Sequence, residues 1–219
     1  VIVNSGVPVN VRATLEIANR AMYHRLRARL PTGLEGVAID AGTAFGAVER
    51  NAVAVEPGAY PRETPVRTAP AQRFVAAARA GRGLAVLAPA FFEYEWTARG
   101  DLLLTLLRAI GDLSRSDLPT RPGHAAWPTP IPAAQCLGTT RIDLALVPVS
   151  ATEIERGDFL PRLWEDAFLP INSLWLRDAA SLQLAPLDIA LEGQGLVFSA
   201  LKPAQLGSPM VLRCYNATN

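Results

Sequence analysis

Lysine is almost missing from this 219-residue chain: of 21 basic residues, only Lys202 is not an arginine. A phosphate-binding face gathers its positive charge in one patch. Here the arginines are scattered and 20 acidic residues bring the net charge to +1, so neither nucleic acid nor a membrane surface is expected as a partner. Histidine occurs only as His24 and His124, and cysteine only as Cys136 and Cys214. A catalytic zinc site draws about three ligands from His, Asp, Glu or Cys, yet no HExxH or CxxC pair occurs. No self-contained metal or cofactor site is expected in this chain. The cysteines lack metal or redox spacing and are expected to be free, buried thiols. No GxSxG elbow, GxGxxG turn or P-loop is present, which removes the usual starting points for acyl transfer and nucleotide chemistry. No apolar run approaches the roughly 20 residues of a membrane span. No charged-apolar-small leader opens the chain, and the cytoplasm is the expected compartment. The first residue is Val1 rather than Met, which reads as a processed product or a piece of something longer.

Half of the residues are apolar, enough for a sizeable core. Their dominant pattern is alternation in short segments bounded by Gly, Pro, Asn and Asp. In "VNVRATLEI", Val9, Val11, Ala13, Leu15 and Ile17 alternate with Asn10, Arg12, Thr14 and Glu16, the mark of a strand buried on one face. "AFGAVER", "GLAVLAP", "FEYEW", "DLLLTLLRAI", "RIDLALVPV", "SLQLAPLDIAL", "GLVFSALKP" and "PMVLRCYN" continue the series, and "RFVAAARAGRG" fits either strand or helix. So many short strands predict an all-β antiparallel sandwich, read as one domain over residues 1–219. One stretch differs. In "EIERGDFLPRLWEDAFLP" the spacing of Phe159, Leu163, Trp164 and Phe168 predicts one short amphipathic helix, with Pro161 in its first turn. Phe45, Phe74, Leu84, Leu104, Leu106, Leu144 and Val197 are the expected core.

Chemistry is harder to find. Glu93 and Glu95 share one strand face, either solvated above packed Phe92, Tyr94 and Trp96 or serving as a sugar platform. "SRSDLPTRPGHAAWPTPIPAAQC", residues 114–136, carries five prolines and is long for a connection. Such segments are disordered or functional. Trp127, set among prolines, reads as a loop anchor or as a stacking surface for a sugar. Gln135 reads as a buried polar group tying the loop's end to the backbone.

Three stretches resemble one family in its own order. "NRAMYHRLRARLPTG" at 19–33 with "FGAVERN" at 45–51 resembles early strands of the C-terminal β-domain of family-38 glycoside hydrolases, the α-mannosidases. "LLLTLLRAIGDLSRSDLPTRPGHA" with "PAAQCLG" is similar to that domain's most recognisable block in the bacterial mannosidase and mannosylglycerate-hydrolase branch. "LVFSALKPAQLGSPMVLRCYNAT" is similar to its late strand pair. Tyr23 and Gln205 stand where the family commonly has acidic residues.

The resemblance implies a galactose-mutarotase-like β-supersandwich belonging to a larger retaining mannosidase, truncated here at both ends. The nucleophile and the zinc would sit in an N-terminal α/β catalytic domain of the same polypeptide, the expected partner along with a mannose-containing carbohydrate. The family is often multimeric, so a homo-oligomer is a further expectation. A β-domain loop of the family reaches toward the catalytic domain and offers an Arg to the active-site wall. The matching residue is Arg121, with Asp117 and His124 as neighbours, unless Arg121 merely pairs with Asp117 inside the loop. Arg108 and His24 are expected in structural roles. Two alternatives stay open: a carbohydrate-binding sandwich with Trp96 or Trp127 as platform, and a purely structural or oligomerisation domain.

Overall fold

A computed structural model describes residues 11–56, 58–90, 93–123, 126–169, 190–205, 207 and 209–218. Val9, Phe92, His124 and most of "SLQLAPLDIAL" lie outside the described residues. The strands are β1 (Val11–Asn19), β2 (Arg25–Pro31), β3 (Ile39–Thr43), β4 (Gly46–Arg50), β5 (Thr68–Ala69), β6 (Phe74–Arg79), β7 (Arg82–Leu87), β8 (Tyr94–Trp96), β9 (Asp101–Arg108), β10 (Asp117–Leu118), β11 (Arg121–Pro122), β12 (Gly138–Pro148), β13 (Leu196–Pro203) and β14 (Met210–Asn216). Two helices, α1 (Ala151–Glu155) and α2 (Phe159–Phe168), stand between β12 and β13.

The side-chain alternation decides how these strands stack. A six-stranded antiparallel sheet, in the order β1-β12-β7-β6-β3-β4, faces a four-stranded one, β2-β9-β8-β5. One set of side chains meets between them: Ile39, Ala41, Val75, Ala77, Val86 and Leu144 from the larger sheet, and Tyr94, Trp96, Leu102 and Leu104 from the smaller. The intervening residues of the larger sheet, Phe74, Ala76, Ala85, Leu87, Ala145 and Val147, point the other way and pack under α2 against Leu160 and Leu163. Strands β6 and β7 are thus covered on both faces, which explains why their sequence is apolar almost without break. It also settles "RFVAAARAGRG" as strand.

Helix α2 matches its expected pattern, with Pro161 in its first turn and buried. The indole of Trp164 donates to the Ala88 carbonyl at 2.6 Å, fastening the helix to the sheet. The five-residue α1 was not expected; Ser150 and Glu153 close it with a reciprocal capping box. No helix among the described residues is long and apolar enough to cross a membrane.

Most of the expected core is where the pattern put it, with Leu84 and Leu106 half-buried at its edge. Phe45 is a correction: it is 63% exposed. It lies in the turn between β3 and β4, beyond the reach of either core, and packs edge-on against Tyr215 at 5.7 Å. The cysteines are a second correction. Cys136 is exposed and Cys214 only half-buried, because Cys136 sits in a left-handed turn (φ 50°) that points it away from the sandwich.

Asp40 of β3 stands directly across from Glu49 of β4. Burial, followed by the charge of Glu49, pushes its pKa up to about 6. The native state therefore holds a proton that the unfolded chain has lost over the interval from about 4 to 6. Stability is expected to fall as pH rises through that window. At pH 7 Asp40→Asn should stabilise the protein by about 1 kcal/mol, allowing for the partial exposure of the group. Thermal melts from pH 4 to 7 check this: the variant should have lost most of the decline.

Candidate functional site

The connection from β9 to β12 is ordered as two facing legs. Ile110, Leu113 and Ile131 donate their backbone N–H groups to Ala134, Thr129 and Gly111 at 3.1, 2.9 and 2.8 Å. The prolines fit because these bonds fall between them, and Pro132 opens a 3-10 turn, Pro132–Gln135. Gln135 is buried and accepts from the Tyr23 N–H at 2.9 Å. Asn19 Nδ2 donates to the carbonyls of Gln135 and Cys136, both at 3.0 Å. The loop's end is tied to the start of β2, as expected of Gln135.

Beyond the legs, β10 and β11 form a small hairpin in which Leu118 faces Arg121. The Gly123 N–H closes it onto the Ser116 carbonyl at 3.0 Å, and the Thr64 N–H reaches the Thr120 carbonyl at 2.7 Å. These bonds fix Arg121 from two sides. Asp117 does not pair with it. The Asp117 carboxylate takes the Arg115 guanidinium through two hydrogen bonds, which hold it below the usual carboxylate range. Arg115 in turn lies over the Tyr23 ring at 5.7 Å.

The hairpin and legs wall a cleft of about 490 Å³ where β2 begins and β9 ends. Tyr23, His24, Arg25, Arg108, Ser114 and Arg121 are among its lining residues. Three buried polar atoms there have no hydrogen-bond partner among the described residues: His24 Nδ1, Ser114 Oγ and Arg121 Nε. Of the expected trio, Arg121 reaches the cleft, Asp117 braces its outside, and His124 lies outside the described residues. His24 joins the cleft, which nothing in its strand context signalled.

Two of the lining arginines, Arg25 and Arg108, are held by one carboxylate. Glu93 is buried and holds Arg25 at 3.1 Å, Arg108 at 3.3 Å and the Thr105 hydroxyl at 2.6 Å. Along the same sheet face Glu95 holds Arg27 and Asp101 holds Arg29. The glutamates of "FEYEW" are thus a paired ladder rather than a solvated face. Trp96 is buried, with its indole donating to the Val37 carbonyl at 2.7 Å, so it offers no sugar platform. Trp127 is 88% exposed and anchors nothing among the described residues. No three His, Cys, Asp or Glu side chains among the described residues converge as a metal site. Zinc has no fitting ligand set among them.

No family model matches the chain. Along 96% of its length it is 26% identical to a provisionally assigned mannosylglycerate hydrolase of Halalkalibacterium halodurans, of which it covers 21%. An α-mannosidase from Enterococcus faecalis V583 superposes with a TM-score of 0.75 at 23% identity, over 95% of this chain and 22% of the other. A family-38 glycosyl hydrolase protein from Enterococcus faecalis gives 0.73 at 23%, over 94% and 22%. The chain spans about a fifth of the length of the relatives it matches. It shares its fold with a segment of family-38 glycoside hydrolases and, almost end to end, resembles a segment of the mannosylglycerate hydrolase in sequence.

Proposed function

We propose that this chain is the C-terminal β-domain of a zinc-dependent retaining α-mannosidase of glycoside hydrolase family 38. The 219 residues act as one supersandwich domain that presents Arg121 to the substrate site of a catalytic domain on the same cytoplasmic polypeptide. The observation that carries this reading is the rim of the cleft. Met22, Tyr23, Leu113, Leu118, Trp127 and Leu137, all on the segments that build the cleft and its loop, expose 58, 58, 71, 36, 88 and 59% of their surface. Exposed apolar side chains on the segments that carry Arg121 suit a surface that closes on another protein surface and shuts water out. Inside such a joint the five donors of Arg121 would meet sugar hydroxyls or carboxylates. The catalytic nucleophile comes from the partner domain.

Arg121→Ala in the mannosidase that carries this chain is expected to lower kcat/KM for an aryl α-mannoside about 10- to 100-fold, the worth of one charged hydrogen bond. Its melting temperature should stay within about 2 °C of the parent's, since a loop arginine whose Nε has no hydrogen-bond partner among the described residues contributes little to stability. The 219 residues alone should show no turnover with added zinc. Unchanged kinetics would reduce Arg121 to a loop brace and favour a structural or oligomerisation role, which the same apolar rim would serve.

A further inference from the structure

Strands β13 and β14 form a ribbon of their own, with no third strand among the described residues. Their register sorts the side chains, and the bulge between Phe198 and Ala200 keeps the sorting intact. Phe198 lies across from Cys214, Leu201 from Leu212 and Pro203 from Met210, so these six make one apolar face. Val197 with Tyr215, Ala200 with Arg213 and Lys202 with Val211 make the other. At its base this second face is anchored, with Val197 buried and Tyr215 packed on Phe45. Toward the tip Met210, Val211, Leu212 and Arg213 are exposed one after another, which leaves β14 bare on both faces. The charge there has one sign. Lys202 and Arg213 share the second face, neither strand carries an acidic residue, and neither cation forms an ion pair among the described residues. A bare apolar edge is a template for further pairing, and a lone two-stranded ribbon is marginal in water.

We propose that a strand from another part of the same polypeptide, alternating apolar and acidic side chains, pairs along the outer edge of β14. This rests on the proposed function in one respect, that these residues belong to a longer polypeptide. The edge is chosen by the strands themselves: β13 carries a bulge and Pro203, both of which blunt an edge, and β14 carries neither. The partner's apolar residues would extend the face of Met210 and Leu212, and its carboxylates would meet Arg213 and Lys202 on the other. A second copy would bring its own Lys202 and Arg213 to the joint, where like charges repel. A separate peptide would gain little from one ribbon edge, whereas a tether raises its effective concentration to about millimolar. The chain spans 21–22% of its relatives' length, so a polypeptide of their size has ample sequence to supply the strand.

Lys202 is the only lysine of the chain, so a zero-length carbodiimide cross-link from it has one origin. In the natural polypeptide that carries this chain, the expected product joins Lys202 to an Asp or Glu of the same molecule outside these 219 residues, in a segment where acidic and apolar residues alternate. Hydrogen exchange over Met210–Arg213 should be slow, and reversing both charges with Lys202→Glu and Arg213→Glu should speed it about tenfold or more. Lys202→Arg should leave it unchanged. A cross-link to a second copy or to a carboxylate of these residues overturns the proposal, as does the absence of any Lys202 product. So does exchange over Met210–Arg213 as fast as in the unfolded chain, or protection that survives the double reversal. If the edge exchanges freely while Arg121→Ala still slows an aryl mannoside, the added strand fails alone. A protected, cross-linked edge beside unchanged Arg121 kinetics supports the strand and removes the loop reading instead.

Discussion

Replacing Glu93 by Ala is expected to cost the fold about 3 kcal/mol. Its carboxylate joins two guanidiniums and a buried hydroxyl: Arg25 Nη1 and Thr105 Oγ1 meet Oε1, and Arg108 Nη1 meets Oε2. Removing one partner of a buried pair typically costs 3–5 kcal/mol, because the remaining charge stays without compensation. Here the low end applies. The side chains of Arg25 and Arg108 are 39 and 49% exposed and can turn to water, whereas Thr105 is 8% exposed and cannot. Glu93→Gln keeps an acceptor for Thr105 and should lose about half as much. Denaturant titration of the two variants checks the order: equal losses would mean that the charge contributes nothing beyond the hydrogen bond. Since Arg25 lines the cleft, folded Glu93→Ala should also bind anions more tightly there.

Gly100→Ala should be at least as damaging, for reasons of backbone shape rather than charge. Gly100 is buried in the turn from β8 to β9 at φ +76°, a conformation that L side chains rarely adopt. A non-glycine residue there costs roughly 1–2 kcal/mol. A methyl group would also come within 2.7 Å of the backbone nitrogen and carbonyl carbon of Leu34. That backbone cannot withdraw easily, because the Gly100 carbonyl accepts both the Thr32 N–H at 3.1 Å and its hydroxyl at 2.7 Å. Overpacking adds about 1–3 kcal/mol, for a total of about 3–4 kcal/mol. At roughly 2–4 °C per kcal/mol for a chain of this size, the melting temperature should drop by about 10 °C. A fall of less than about 3 °C would show that the turn can relax.

What could be read from the residues follows from distance along the chain. The alternation of β1 and the stepped apolar residues of α2 are local patterns, and both elements formed as read. Gln135 was legible because a polar residue next to a proline-rich run has few uses other than bonding backbone. Glu93 was not, because its partner Arg25 lies 68 residues away, and a glutamate destined for pairing looks like one destined for water. Phe45 misled for a related reason: its hydrophobicity is visible, but its place in a two-residue hairpin turn depends on the pairing of β3 with β4. The Arg121 cleft was half legible. Family resemblance pointed to the arginine, whereas His24 and Ser114 enter only through the folding of the loop legs onto the start of β2.

The pairing of β1 with β12 has a consequence in time. Thr14 and Asp143, bonded across these strands, are separated by 129 residues of chain. At synthesis rates of about 5–20 residues per second, β1 waits on the order of ten seconds before its partner emerges. Meanwhile β7 also lacks β12, its neighbour on that side. The β6–β7 and β3–β4 hairpins can close early, but the large sheet cannot be completed until nearly all of β12 has left the ribosome. An unpaired strand invites association with other chains, so the vulnerable species of this protein is the nascent chain that ends just short of Gly138.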